Sequence, residues 1–557
     1  MFRLWSAFAA IVLTYSLVIA RLFYWQVIAG SDLRAEASSQ YYLQLPLPSQ
    51  RGTIVASDGK PLVMNEPAFL VYAEPQTITD RNAFVAAVAP LMELDPDELG
   101  KQLSERNRAW VPLGHKVDNT KTNALKALGL KGIGFEKEPK RYYPEASAAA
   151  HLLGFVGSDE FGRDIGYFGL EGYYDRELGG KDGRLQLEKD VRGAPILINQ
   201  PLRIEPENGR TLELWLDRTV QRIVEQRLSE GITKYGAKEG SVIVMDPKTG
   251  GILAMASFPS YDPAKFTQFD RDLYKNPTVA ASFEPGSTFK ALVMAASLNE
   301  KKLTPTTTMD ENGPVTIGEY TIRTWNSQYH GQITMSQVLQ YSSNTGMVYV
   351  GRQLGKDAFL TYIKAFGFGT PTNIDLQEEF SPEIRESSEW SEIDLATTSF
   401  GQGIAVTPLQ MVRAVGALAN GGALMEPHVV RAIIDAKGNR AEMKPKKVRD
   451  VISKAAANVI AEMLINAVDN GEAKWAKPPG YRIAGKTGTA QIPVSGHYDE
   501  EKTIASFVGF APADDPKFVM LVTLREPTSS PWGSETAAPL FFTIARDLFS
   551  YWSIPPQ

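Results

Sequence analysis

The chain has 557 residues, 43% of them hydrophobic and 22% charged, with 58 basic residues against 64 acidic ones and a net charge of −6. That length exceeds one core and predicts two or three domains, while the nearly balanced charge gives no electrostatic reason to propose a nucleic-acid partner. There is no cysteine, so thiol nucleophiles, disulfides, thiolate metal centres and a lipid-modified cysteine are excluded, and the five histidines (His115, His151, His330, His428 and His497) never pair at helical ligand spacing.

Leu4 to Ala20 carries no charge, and after Arg21 the apolar character resumes through Leu22 to Ile28. A bilayer-spanning helix needs about 20 mostly apolar residues. Arg21 can snorkel, and Tyr24 and Trp25 suit the interface. No small-x-small cleavage site follows, which favours an uncleaved anchor over a signal peptide. Only Arg3 and the amino terminus precede the span, so the remainder is expected on one side, taken here as the outside.

From Ser31 to Glu205 short strand-like runs alternate with turns. Arg51 to Met64 reads as a hairpin around Asp58-Gly59. Asp80 to Leu94 and Thr120 to Leu130 have helical spacing. The turn-rich Pro206 to Arg210 marks a domain boundary. Beyond it, Thr211 to Leu216 alternates as a strand, and Asp217 is a cap for a helix over Arg218 to Ile232. Gly240 to Pro263 reads as two strands around Asp246 to Gly251. Three further strands are predicted at Tyr481 to Ile492, Thr503 to Pro512 and Lys517 to Glu526, and the chain closes on an aromatic-rich helix from Ala537 to Trp552. Strands at both ends of this region with helices between them predict an α+β fold, a mainly antiparallel sheet covered by helices.

Within that region, Phe283 to Leu298 poses a chemical question. After Pro285-Gly286, Ser287 is expected to open a helix, and Lys290 shares its face, so the two side chains can meet. The surrounding residues are apolar. A lysine there loses hydration when charged, so its pKa should fall, and a neutral amine beside a hydroxyl is a general base beside a nucleophile. The helix N-terminus favours developing negative charge. A Ser-x-x-Lys pair alone is more often just a helix cap and a snorkelling side chain. Two later stretches change the weighing: Ser342-Ser343-Asn344, and Lys486-Thr487-Gly488-Thr489. Each has a bland reading, as a loop or an edge strand. Together, in this order, Ser-x-x-Lys, Ser-x-Asn and Lys-Thr-Gly form the signature of penicillin-binding proteins and serine β-lactamases.

On those motifs the chain resembles a class B penicillin-binding protein, a monofunctional D,D-transpeptidase of bacterial cell-wall synthesis. The resemblance extends over nearly all of it, through Gly240 to Pro263, Ser399 to Gly422 and Ala505 to Pro512, and through Arg141 to Gly157 and Gly169 to Gly183 of the N-terminal part. After Arg51 to Ile54 the family usually carries Asp-Arg before the turn glycine; Ala56 and Ser57 stand there instead. The resemblance implies a cytoplasmic tail and anchor over 1–29, an elongated pedestal domain over 30–205 and a transpeptidase domain over 206–557. It also implies Ser287 as nucleophile, Lys290 as base, Ser342 as proton relay and Asn344 as a ligand of the substrate amide. Lys486 and Thr487 would bind the terminal carboxylate, Gly488 would let the substrate backbone approach, and Thr489 would complete an oxyanion hole with the Ser287 backbone. No metal or cofactor is called for. The implied partners are peptidoglycan stem peptides, β-lactams, the bacterial cytoplasmic membrane, and a membrane-embedded glycosyltransferase of the shape, elongation, division and sporulation class; the match leans to the septal type. Two rivals share the motifs: a β-lactamase or D,D-carboxypeptidase, and a sensor or scaffold whose catalytic trio is dispensable.

Overall fold

The computed structural model describes residues 1–33, 42–105, 108–160, 162–189, 195–196, 202–494 and 497–556. It divides into two units, one of Met1–Arg51 with Gly179–Gly209, the other of Gly52–Leu178 with Arg210–Gln557. In the first, α1 (Phe2–Phe23) continues through a wider turn to Ile28. The 27-residue stretch Phe2–Ile28 is long and apolar enough to cross a bilayer once, and none of it is buried against protein. Arg21 sits 4.8 Å from the centroid of the Trp25 ring, so its charge lies against the interfacial aromatics, as the sequence suggests. The rest of this unit is an antiparallel sheet in which Gly183–Lys189 pairs with Tyr42–Leu47, Pro195–Ile196 and Leu202–Ile204.

The second unit begins with the expected hairpin: Ile54 pairs with Val63 across a turn in which Gly59 takes a φ of 78°. A small three-stranded sheet centred on Ala68–Ala73 packs with helices Arg81–Met92, Pro96–Ser104 and Asn119–Ala127 around Phe84, Val88 and Leu103. Ala56 is fully buried, which accounts for an apolar residue there.

The larger part starts with α2 (Arg218–Tyr235), whose first N–H groups are taken by the Asp217 carboxylate at 2.8 and 3.1 Å, as the sequence predicts. Strands β1 (Glu239–Met245) and β2 (Ile252–Phe258) follow. Helices α3 (Lys290–Asn299), α4 (Asn344–Leu354), α5 (Pro408–Ala419) and α6 (Lys454–Asn470) come next. Then come β3 (Ala484–Val494), β4 (His497–Ala511) and β5 (Phe518–Arg525), and α7 (Ala537–Tyr551) closes the chain. The five strands form one antiparallel sheet in the order β2-β1-β5-β4-β3, so β3 is an edge.

Both faces of this sheet are covered, and the period of two sorts its side chains between two cores. Val242, Val244, Met520 and Val522 meet α2 and α7 through Val220, Val224, Phe541 and Phe549. Ile243, Met245, Val519 and Leu521 meet the helices of the opposite face through Leu292, Leu409 and Val412. Each fully buried Val, Leu or Phe contributes about 1.5–3 kcal/mol, so both layers press on the sheet and fix the height of β3.

One feature departs from a purely local reading. Thr211–Leu214 does form a strand, but it runs parallel to Ile54–Val55 and antiparallel to Val430–Ile434, joining distant parts of the chain in one sheet. Asp375 sits at that junction, buried, accepting the Val429 and Val430 N–H groups at 2.7 and 2.9 Å and the Tyr174 hydroxyl at 3.0 Å. Burial raises its carboxyl above the usual range.

Candidate active site

The three motifs meet at a cleft of about 240 Å³ whose lining includes Ser287, Ser342, Asn344, Thr487, Gly488 and Thr489. Ser287 comes from a tight turn, Gly286–Phe289, and the α-helix proper begins only at Lys290. This corrects the expectation that Ser287 opens the α-helix: it lies inside the turn, whose N-cap is Pro285, and among the described residues its hydroxyl has no hydrogen-bond partner. Thr288 ties the turn down instead, donating to the Pro285 carbonyl at 2.7 Å. A hydroxyl spared from capping is one left open to the cleft.

The turn is held by close backbone contacts. The Gly286 N–H donates to the Gly401 carbonyl at 3.0 Å, and a side chain on Gly401 would fall 2.0 Å from the Gly286 oxygen. On the other flank lies β3. A methyl on Gly488 would meet Ser506 Oγ at 2.5 Å, Thr288 Cγ2 at 2.8 Å and the Pro285 oxygen at 3.1 Å. The space beside Gly488 is therefore occupied by Ser506 of the neighbouring strand and by the serine-bearing turn, and these contacts already require glycine there.

Lys290 is fully buried. Its Nζ donates to the Ser342 carbonyl at 2.6 Å and to Asn344 Oδ1 at 2.8 Å, and lies 3.3 Å from Ser342 Oγ. It makes no hydrogen bond to Ser287, so the meeting inferred from the i, i+3 spacing is not made in this state: the amine is drawn to the stronger carbonyl and amide acceptors. Burial, and next to it the charge of Lys486, push its pKa well below the ordinary lysine value, with Glu472 and Glu311 opposing. A neutral amine has two N–H groups, both used here, and keeps a lone pair for a proton.

Ser342 and Asn344 flank the start of α4. Ser342 is buried with a φ of 56°, in the left-handed region where a side chain bears about 1–2 kcal/mol of strain. The turn is anchored from beneath. Ser343 caps α4 by accepting the Gly346 N–H at 2.8 Å and is hydrogen-bonded to Glu311; Thr345 Oγ1 donates to the same carboxylate at 3.0 Å. Glu311, 1% exposed, also lies 2.9 Å from the His330 ring Nδ1. Asn344 Nδ2 donates to the Arg323 carbonyl at 3.0 Å, which sets the amide so that its oxygen faces Lys290.

On β3, Lys486 is buried and its Nζ donates to Thr487 Oγ1 at 3.0 Å. Burial lowers its pKa, and Glu472 opposes that shift. Thr489 Oγ1 accepts the Gly533 N–H at 2.9 Å, leaving its own proton for another acceptor. The site thus brings together all eight residues singled out in the sequence: two amines, hydroxyls at different depths, and the edge of a sheet.

The match to known proteins follows the same division. Residues 240–548 fit the penicillin binding protein transpeptidase domain, and residues 46–214 the penicillin-binding protein dimerisation domain. The chain belongs to the class B penicillin-binding proteins. Stage V sporulation protein D of Bacillus subtilis is 34% identical over 98% of this chain and 85% of its own length. Peptidoglycan D,D-transpeptidase FtsI of Escherichia coli is 28% identical over 98% of this chain and 91% of its own. Among solved structures, penicillin binding protein 2X of Streptococcus thermophilus superposes with a TM-score of 0.77 at 25% identity, covering 92% of this chain and 80% of that one. The aztreonam complex of mycobacterial penicillin binding protein 3 gives 0.71 at 26% identity, covering 92% of this chain and 98% of that one. As in other penicillin-binding proteins of this class, the chemistry is a serine-type acyl transfer, and the one helix among the described residues long and apolar enough to span a bilayer, together with membrane-anchored relatives, supports a single-pass membrane protein.

Several cleft residues of this penicillin-binding protein escape a sequence reading. Trp325 and Trp532 line it and meet edge to face with centroids 5.0 Å apart. Phe400, Gln402 and Glu472 also line it. Phe400 and Gln402 fall in the stretch from Ser399 that carries the resemblance, which is a signal of a kind; Glu472 and Trp532 lie in segments with none.

Proposed function

We propose that this protein cross-links peptidoglycan stem peptides at Ser287, the D,D-transpeptidase activity of its class, and that β-lactams acylate the same oxygen. The observation that carries this is the fully buried Lys290 amine, held by Ser342 and Asn344 at the floor of the cleft that Ser287 lines. In this reading Ser287 Oγ attacks the carbonyl between the two terminal D-Ala residues and its proton passes to Lys290. The tetrahedral oxyanion is held by the Ser287 and Thr489 backbone N–H groups, a donor pair of the kind worth about 3–4 kcal/mol per member. Ser342, between Lys290 and the cleft, hands a proton to the departing D-Ala nitrogen. Asn344 orients the substrate amide, while Lys486, Thr487 and Thr489 receive its terminal carboxylate. The amine of a neighbouring stem peptide then takes the acyl group and releases Ser287.

We further assign residues 1–29 to a cytoplasmic tail and anchor, 30–205 to the pedestal and 206–557 to the transpeptidase domain, with the bulk of the chain outside the bacterial cytoplasmic membrane. We infer a septal role and a partnership, through anchor and pedestal, with a membrane-embedded glycosyltransferase. The division-type relatives support this; undivided filaments on depletion would bear it out, and rounding without filamentation would reassign the protein to elongation.

The chemical reading is tested with a fluorescent penicillin. Wild type should give a long-lived adduct that mass spectrometry maps to the Ser287 peptide, and Ser287→Ala should lose the label. A label that persists in Ser287→Ala would move the nucleophile elsewhere, and rapid turnover of the adduct would make the enzyme a hydrolase.

A further inference from the structure

The transpeptidase reading leaves one half-buried carboxylate in the cleft without a task. Glu472 follows α6, just beyond Gly471, and lines the cleft. Its Oε2 accepts the Thr487 hydroxyl at 3.4 Å, and that same hydroxyl oxygen receives the Lys486 amine at 3.0 Å. Its other oxygen, Oε1, is buried with no hydrogen-bond partner among the described residues. A bare buried carboxylate oxygen is unfavourable, and an apolar side chain would fill the same place without that penalty. The charge itself therefore calls for an explanation.

The charges around it supply one. Lys290 on α3 and Lys486 on β3 are both buried, and among the described residues neither has a carboxylate within ion-pair distance. The two repel: the charge of Lys486 disfavours a proton on Lys290. Two carboxylates face them. Glu311, from the strand Thr308–Glu311, acts on Lys290 and is itself committed to Ser343, Thr345 and His330. Glu472 acts on both lysines. Lys477, further along the same segment, is paired with Asp469.

We propose that Glu472 is a positioning residue for acylation of Ser287, acting through Thr487: it orients the hydroxyl that receives the Lys486 ammonium and offsets that ammonium's charge, so that one cation and one anion surround a neutral base. The proposal rests on the transpeptidase reading above. Acylation in that reading needs Lys290 neutral and Lys486 charged. Burial drives both amines towards neutrality and Glu472 opposes this in both, so without its charge each gives up its proton at lower pH. Both limbs of the pH–rate profile then move in the acid direction; they belong to the cluster rather than to either lysine. A nearby charge of this kind is worth about one pH unit.

The test measures the second-order rate of Ser287 acylation by a fluorescent penicillin as a function of pH, on the full chain in detergent. The proteins compared are wild type, Glu472→Gln and Glu472→Asp. The expected result is a profile displaced by about one pH unit to the acid side in Glu472→Gln, and a profile at the wild-type position in Glu472→Asp, which keeps the charge. Complete loss in Glu472→Gln with a wild-type profile in Glu472→Asp would also support the proposal, since the isosteric variant lacking the charge fails while the shorter one that keeps it works. A rate lowered evenly at every pH, a shift to the basic side, or loss in both variants with melting curves unchanged would overturn it. None of these outcomes touches the transpeptidase reading, which fails if the wild-type label does not map to Ser287, persists in Ser287→Ala or turns over rapidly.

Discussion

Replacing Lys290 by Met tests whether the amine is neutral in the folded enzyme, through stability rather than activity. Lys290 is fully buried, and burial and Lys486 hold its pKa well below the ordinary value. In the unfolded chain a lysine titrates near about 10.4. The folded value lies below the unfolded one, so between them the unfolded chain binds the extra proton and wild-type stability rises with pH, by about 1.4 kcal/mol per pH unit. Below the folded value the penalty is complete and constant; above the unfolded value it is gone. The Met variant lacks this slope, and Lys486, present in both proteins, cancels from the difference. Met also leaves the Ser342 carbonyl and Asn344 Oδ1 without their donor, at about 1–3 kcal/mol each, an offset that does not vary with pH. For a domain of this size about 1 kcal/mol moves Tm by about 2 °C. The Tm gap should therefore move in favour of wild type by about 3 °C per pH unit within the window. Thermal unfolding followed by tryptophan fluorescence from about pH 7 to about pH 10 reads this directly. Parallel curves for the two proteins would refute the neutral-amine argument, however completely the variant had lost acylation.

Two further outcomes follow from the turn that carries Ser342 and Asn344. Glu311→Ala removes the acceptor shared by Ser343, Thr345 and His330, and should lower stability by about 3 kcal/mol in urea unfolding while slowing acylation; a loss under about 1 kcal/mol would mean the carboxylate does not anchor the turn. Ser342→Gly and Ser342→Ala both delete the relay hydroxyl and should both lose about 10²-fold or more in acylation rate. Because Ser342 has a φ of 56°, the Ala variant should be less stable than the Gly variant by about 1 kcal/mol, and equal stabilities would argue against strain at this residue.

Much of the architecture was legible because it is local. The Asp217 cap, the Asp58-Gly59 hairpin and the apolar strands β1, β2 and β5 are each written within a few residues, where caps, turn chemistry and short apolar runs operate. The catalytic trio was legible for a different reason: its motifs are short, and their order along the chain is distinctive. What escaped is what folding assembles from afar. Nothing in the run from Asn470 to Trp475 tells that Glu472 will reach the strand carrying Thr487, or that Glu311 will sit beneath Ser343. The parallel pairing of Thr211–Leu214 with Ile54–Val55 is equally invisible to local patterns. Ser287 was expected to open the α-helix because a serine after Pro-Gly looks like a helix start; a tight turn carries it instead, and the helix begins at Lys290.

The bare-backbone clamp on the serine turn bears on how this enzyme can change under drug selection. Any side chain gained at Gly401 or Gly488 collides with the chain that presents the nucleophile, so those positions offer no viable route to resistance. Trp325, Gln402 and Trp532 line the same cleft without this backbone contact to the serine turn, and variation there is the route the clamp leaves open.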